Sequence, residues 1–358
     1  MKHRIIGFDL ARAYAIFGMF IVNFNFCFGS FQDKSLLGQF LNLFVGNSTA
    51  IFIILAGMGV SLMTNKNEYQ KHEKANLKSI IIKRSWVLVG LGLLLYNWWP
   101  GDILHFYGGY MHIAAFLIFT PKKYYLWLAL FVIIIFHILL QIIPIETSWN
   151  FETYKYADFW TIIGFLRNTI YNGWNSIFPW LAYFLIGMFL GRLNWQNKST
   201  KANTFYIGVL LFVLFEGIRY LAKQNLFDEF WTNYIMSEYF PAYLPFMLIT
   251  IGFALMVIPI CMFIADYFPN NTIINALSKV GQMTLSFYVI HITIGMVIFS
   301  LLTHHDYTGY LTQQAPIEPT FILIYSVLFY ILCIIFNILW MRKYRQGPLE
   351  TLMRKIAG

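Results

Sequence analysis

The hydropathy pattern constrains this chain before anything else. Apolar runs of about twenty residues follow one another with only short polar breaks between them, and a bilayer core about 30 Å thick takes a helix of roughly that length. Ten such spans can be marked off, at 13 to 31, 37 to 63, 80 to 99, 102 to 120, 124 to 144, 175 to 193, 204 to 222, 241 to 265, 281 to 302 and 319 to 341. Between the fifth and sixth, the stretch from Tyr154 to Ile170 is apolar enough to form a re-entrant or interfacial helix. The reading is an all-α polytopic membrane helix bundle of about ten transmembrane helices, with 1 to 358 as a single integral-membrane domain and the lipid bilayer as its first partner.

Composition excludes the alternatives. Hydrophobic residues make up 59% of the 358 and charged residues only 11%, whereas a soluble domain carries about a quarter charged. The net charge of +9 would suggest nucleic acid in a soluble protein, but these cations sit in short loops between apolar runs, so no nucleic-acid partner is expected. Cys27, Cys261 and Cys333 lie in apolar surroundings without paired or ligand-like spacing, which predicts neither a disulfide framework nor a metal site. Lys2, His3 and Arg4 ahead of an apolar run resemble a signal peptide. Asp9 and Arg12 interrupt that start and no small-residue cleavage site follows, so a retained first span is expected.

Charge alternates from loop to loop. The N-terminus, the 64 to 84 loop, "PKK" at 121 to 123, "GRLNWQNKSTK" at 191 to 201 and the tail are basic, and all fall on one side of a ten-span count. The other side receives Asp33, Asp102, Glu146, Glu152, Asp158, Asp228, Glu229 and Glu238 with few cations, so both termini are expected to be cytoplasmic. Trp98, Trp99, Trp174, Trp180, Trp195 and Trp231 lie near span ends, where interfacial belts would place them.

Ionisable groups inside the apolar runs carry the functional information, because each costs a few kcal/mol (about 2.5 to 3.5) at the bilayer centre unless it has a partner or a wet cavity. In "NWWPGDILHFYGGYMHIAAF", Asp102 opens the fourth span. His105 follows three residues later on the same helical face, and His112 lies two turns further down. Asp102 is suited to capping the helix, which does not exclude chemistry; the histidines are either satisfied interior residues or functional groups. His291 sits near the middle of the ninth span, and an imidazole there is either core or a general base, since it titrates near neutral pH. His137 has no ionisable companion nearby and reads as structural. Glu216 and Arg219 are spaced to pair on one face or to grip a polar substrate.

At the inner side, Asp9 and Arg12 are also spaced as a pair, while arginines beside Lys83 and Arg84 suit the phosphates of a cytoplasmic donor. Asn23 and Asn25 offer hydrogen bonds near the outer end of the first span. Gly57, Gly59 and Ser61 in "LAGMGVSLM" suit close helix packing. No Walker motif, H-E-x-x-H or G-x-S-x-G elbow occurs, so hydrolase and ATPase readings have no motif behind them. Nor does the hydropathy show a pair of half-length, glycine-broken spans in matching halves, the sequence pointer to a secondary transporter.

Taken together, "R-x4-D-x2-R" (Arg4, Asp9, Arg12), "W-x-GDIL-x2-Y" (Trp99 to Tyr107), "GRLNW" (191 to 195), "VGQMTLSFYVIH" (280 to 291) and the tail "W-x4-RQGPLE-x3-R" (Trp340 to Arg354) resemble the YeiB-like family of bacterial inner-membrane proteins. That family is distantly similar to transmembrane acyltransferases, including heparan-alpha-glucosaminide N-acetyltransferase and the acyltransferase-3 proteins. The resemblance implies a multi-pass protein of the bacterial cytoplasmic membrane that moves an acyl group from cytoplasmic acyl-CoA (acetyl-CoA) to a glycan, lipid or small polar acceptor on the far side, with a membrane-embedded histidine as catalyst. It implies that Arg4, Arg12, Lys83 and Arg84 hold the CoA phosphates, that His291 or His105 deprotonates the acceptor or carries the acyl group, that Asp102 orients the imidazole, and that Asn23 or Asn25 stabilises an oxyanion. A homodimer is compatible with it.

Two other functions remain open at this point, a transporter or flippase for a polar or lipid-linked solute and a non-catalytic scaffold. A scaffold predicts that every buried histidine is paired. A transporter predicts internal repeats around a midplane site.

Overall fold

The computed structural model describes residues 5–64, 69–305 and 315–358, and nearly all regular structure in them is helical. From the N-terminus, α1 (Ile6–Phe28), α2 (Leu36–Asn42) and α3 (Asn47–Met63) are followed by α4 (Lys71–Tyr96), α5 (Leu104–Leu117) and α6 (Lys123–Ile142). A two-residue hairpin, β1 (Trp149–Asn150) with β2 (Lys155–Tyr156), leads to α7 (Ile162–Arg167), a π-helical turn at Asn168–Asn172, and α8 (Ile177–Leu190). Next come α9 (Lys198–Lys223), α10 (Glu229–Ile235), α11 (Leu244–Tyr267), α12 (Thr272–Val280) and α13 (Thr284–Ile290). A second π-helical turn, His291–Gly295, joins α13 to α14 (Met296–Thr303), and α15 (Pro319–Trp340) and α16 (Pro348–Ala357) complete the chain. Local chemistry sets several of these starts: the Asn271 side chain accepts from Ile273 N and Ile274 N to begin α12, and Asp228 accepts from Trp231 N to begin α10.

The chain is an all-α polytopic membrane protein. Among the described residues, 8 helices are long and apolar enough to cross a bilayer, and the pair Ile162–Asn172 with Ile177–Leu190, bent by 51°, makes a ninth. All ten apolar runs marked in the sequence contain helix. The difference in count lies at α5, whose 14 residues rise about 21 Å and fall short of a ~30 Å core. The stretch read as re-entrant or interfacial holds α7 and the start of the π turn, the first arm of this bent pair.

The tryptophan belt needs correction. Trp98 and Trp231 are exposed, but Trp99, Trp180 and Trp195 are buried, Trp180 stacked on Tyr183 and Trp195 edge-on against Phe8. Span ends packed by neighbouring helices bury such rings instead of presenting them to headgroups.

The chain forms two compact units. The first takes in the described parts of Met1–Phe52, Trp195–Tyr239 and Pro245–Thr351. Its centre is α1, buried along most of its length, with α12 and α15 packed along it and Gly7 and Gly18 set close against Met262 and Ser48. A column of rings from α1, α14 and α15 fills its interior, with Phe24, Phe28, Phe299, Tyr325 and Phe329 packed within 4.2 to 6.0 Å of one another. Tyr330 donates to the Ala13 carbonyl, and Tyr325 to the carbonyl of Gly295, the last residue of the π turn. By contrast α9 presents Tyr206, Ile207, Leu210, Val213 and Leu214 outward, as a lipid-facing helix does.

The second unit comprises the described parts of Ile53–Asn194, together with Phe240–Leu244 and Leu352–Gly358. Here α3 crosses α8 at glycines, since a Cβ on Gly57 would lie 2.0 Å from the Phe184 carbonyl oxygen and one on Gly187 2.1 Å from that of Ile54. The small-residue stretch "LAGMG" therefore packs helices, as read. The hairpin region is fastened by Asn172, which accepts from the Tyr156 hydroxyl at 2.8 Å and donates to the Ile145 and Thr147 carbonyls. Arg167 adds a charged clasp to Asp158 at 2.6 Å. These ties hold Phe159 and Phe165 in place against the start of α5.

Candidate active site

Asp102 and His105 form a buried dyad in the second unit. After the Trp98-Trp99-Pro100-Gly101 turn, Asp102 stands just ahead of α5, and its Oδ2 accepts from the backbone N–H of His105 at 3.0 Å, the capping contact that the sequence suggests. The same oxygen accepts from His105 Nδ1 at 2.9 Å. One carboxylate oxygen thus fixes both the helix start and the ring. Room for it comes from α4, where a Cβ on Gly92 would lie 2.4 Å from Asp102 Oδ2 and 2.5 Å from His105 N.

With Nδ1–H committed to the carboxylate, the lone pair falls on Nε2. That atom is buried and has no hydrogen-bond partner. Tyr96, Phe106 and Phe159 wall the ring at centroid distances of 6.0, 3.8 and 5.7 Å. An orphaned buried acceptor costs about 1 to 3 kcal/mol, so it calls for an explanation, and a catalytic role is one. An imidazole held by a carboxylate, with Nε2 left unpartnered, is an arrangement able to act as a general base.

His291 is held differently. It opens the π turn of the first unit, where Nδ1 donates to the Phe287 carbonyl at 3.2 Å and Nε2 accepts from the Asn23 amide at 2.9 Å. Both ring nitrogens are occupied, and Phe20 and Tyr288 lie against the ring at 4.9 and 5.3 Å. Asn23 thereby spends amide hydrogen-bonding capacity on His291. Asn25, also buried, has neither amide atom paired, so it keeps the donor capacity that an oxyanion needs.

The remaining ionisable residues sort by their partners. Asp9 accepts from Arg12 at 2.8 Å and lies 3.5 Å from the Gln282 amide, which joins the first sequence motif to "VGQMTL". Glu216 and Arg219 face each other at 3.6 Å along α9. Lys83 is exposed, while the Arg84 guanidinium reaches the Met63 sulfur at 3.3 Å and leaves its Nε buried without a partner. Arg4 lies outside the described residues. Arg192 of "GRLNW" donates to the Thr64 and Ile118 carbonyls, each at 2.6 Å, which gives that motif a structural job. His112 pairs with Ser85 at 3.2 Å and His137 with the Ile133 carbonyl at 2.9 Å. Among the described residues no three His, Cys, Asp or Glu side chains gather as metal ligands.

Sequence reasoning did not single out Gly92, and it met Glu350 and Arg354 only as letters of the tail motif. Gly92 is visible only as part of "GLGLLL", and the contacts of the two tail residues are long-range.

Residues 190–358 match the family described as protein of unknown function (DUF418), the YeiB-like proteins. Residues 4–227, well over half of the chain, match the family described as heparan-alpha-glucosaminide N-acetyltransferase, catalytic. The chain belongs to the heparan-alpha-glucosaminide N-acetyltransferase catalytic family. No curated protein matches it. Within this acetyltransferase-family chain the two matches divide the histidines: Asp102 and His105 fall inside the acetyltransferase match, whereas His291 falls only in the DUF418 match.

Proposed function

We propose that the protein is an integral-membrane O- or N-acyltransferase that uses cytoplasmic acyl-CoA, with acetyl-CoA as the expected donor, and a polar acceptor on the far side of a bacterial cytoplasmic membrane. The observation that carries this reading is the Asp102–His105 dyad with its unpartnered Nε2. Family membership supports the reaction class, and the basic residues of α4 and the tail support a cytoplasmic face that attracts an anionic donor.

In the proposed step, His105 Nε2 takes the proton from the acceptor hydroxyl or amine as that atom bonds to the acyl carbon. The carbon–sulfur bond of the thioester breaks with its electron pair going to sulfur, and the imidazolium returns the proton to the departing CoA thiolate. Asp102 holds the ring orientation and stabilises the imidazolium. His291 is proposed as a positioned interior residue.

A flippase is the second reading, favoured by one observation: a span broken at a π turn and bent by 51°, as in transporters built on discontinuous helices. A scaffold fits less well, because His105 Nε2 is left unpaired.

The test is incubation of the purified protein in nanodiscs with labelled acetyl-CoA. CoA release that depends on His105 supports the transferase. Solute movement across liposomes without acyl transfer would move the assignment to the flippase.

A further inference from the structure

The three rings that wall His105 come from two kinds of backbone. Phe106 is its neighbour on α5 and Tyr96 ends α4, so both belong to the helices that build the dyad. Phe159 arrives instead from the turn at 157–160, between β2 and α7, and stands edge-on to the imidazole at 5.7 Å. It also lies flat on Tyr96 at 3.4 Å and is itself buried. Because Nε2 is buried, a reactant meets it only after a covering group moves. Moving Tyr96 or Phe106 would break the helices that hold the site, whereas moving Phe159 costs no helical hydrogen bond.

The residues on either side of Phe159 are the ones tied down. Asp158 accepts from the Arg167 guanidinium at 2.7 and 2.6 Å, and Trp160 Nε1 donates to Asn97 Oδ1 at 3.0 Å, just past the end of α4. Arg167 also donates to the Tyr156 hydroxyl at 2.8 Å and to the Ser148 hydroxyl, which draws the hairpin into the same clasp. Both ties reach water: Trp160 and Asn97 are exposed, and the Asp158 and Arg167 side chains keep 35% and 19% of their surface. Bonds at a wet surface exchange for bonds to water at modest net cost, so this fastening opens more readily than a helix does.

We infer that Phe159 is a movable plug over His105, held shut by a latch made of the Asp158–Arg167 and Trp160–Asn97 ties. Opening swings the 157–160 turn away, uncovers the imidazole and leaves Asp102, His105 and both helices in place; closing shuts water out again. Arg167 is a positioning residue, acting on His105 only through Asp158 and the ring beside it. That the open plug admits the acceptor rests on the acyl-transfer reading; that it covers His105 does not.

The experiment follows deuterium uptake at the Cε1 hydrogen of His105 by mass spectrometry, in full-length protein in phosphatidylcholine nanodiscs. The plateau of its pH profile is compared between variants, with His137 on α6 and the backbone amides of residues 104 to 117 as internal controls. R167Q is expected to raise the His105 plateau rate about tenfold and F159A at least as much, with His137 and the α5 amides within about twofold of the wild type. Arg167 is partly exposed, so R167Q keeps the test valid even where F159A fails to fold. Wild-type exchange at His105 in R167Q overturns the latch, and in folded F159A it overturns the plug. An equal rise at His105, His137 and the α5 amides overturns both. CoA release from labelled acetyl-CoA is measured on the same samples. Release that depends on His105 beside exchange indifferent to both variants removes the plug and leaves the transferase standing, whereas latch-dependent exchange in a protein whose CoA release survives H105Q keeps the plug and removes His105 as the base.

Discussion

Glu350 caps the helix that leads to His291 by way of Ser286, 64 residues away in the chain. Glu350 Oε1 accepts from Leu285 N at 2.8 Å and Ser286 N at 3.1 Å, while the Ser286 hydroxyl donates to Oε2 at 2.5 Å and accepts from Leu349 N at 3.1 Å. No residue adjoining α13 supplies a side-chain cap, so the tail provides it. Gly347 leaves the space, since a Cβ there would lie 2.1 Å from Glu350 Oε2. E350A is expected to cost about 1 to 2 kcal/mol by loss of the cap, read as a lower melting temperature and faster amide exchange in residues 284 to 290.

The same carboxyl gives a pH dependence. Burial pushes Glu350 above its ordinary 4.5, against the opposing hydrogen bonds from Ser286. The folded state therefore binds the proton more tightly than the unfolded chain, and stability from this group is fully present below 4.5 and lost as pH rises through the higher folded value. Exchange protection of 284 to 290 is expected to fall over that upward window in the wild type and to stay flat there in E350Q.

Gly92 is the seat of the dyad. G92A is expected to displace Asp102 or His105, lowering acyl transfer strongly while costing about 1 to 3 kcal/mol through overpacking. G90A, on the same helix with open space around its Cβ position, is expected to leave both unchanged in the same assays.

His291 and Asn23 are expected to behave as a structural pair. H291A leaves the Asn23 amide without its buried partner, costing about 1 to 3 kcal/mol. Thermal stability measured beside turnover separates the roles: the folded fraction of H291A is expected to retain most of its activity per molecule.

Much of this architecture is legible in the sequence because a bilayer demands long apolar helices, and those runs stand out. The short α5 does not, since the residues after Leu117 stay apolar after the helix ends. Asp102 and His105 could be read as partners because their contact is a local i, i+3 one. The saturation of His291 could not be read, because Asn23 lies 268 residues away. Tryptophans near span ends look alike in sequence whether they meet headgroups or another helix, which is why Trp99, Trp180 and Trp195 read wrongly.

The most direct test of the central claim is acyl transfer from labelled acetyl-CoA by H105Q and D102N, with melting temperature followed in parallel. Transfer about 10² to 10⁴ times slower in H105Q, in protein that remains folded and binds CoA like the wild type, is the expected result. Wild-type rates in folded H105Q would contradict it.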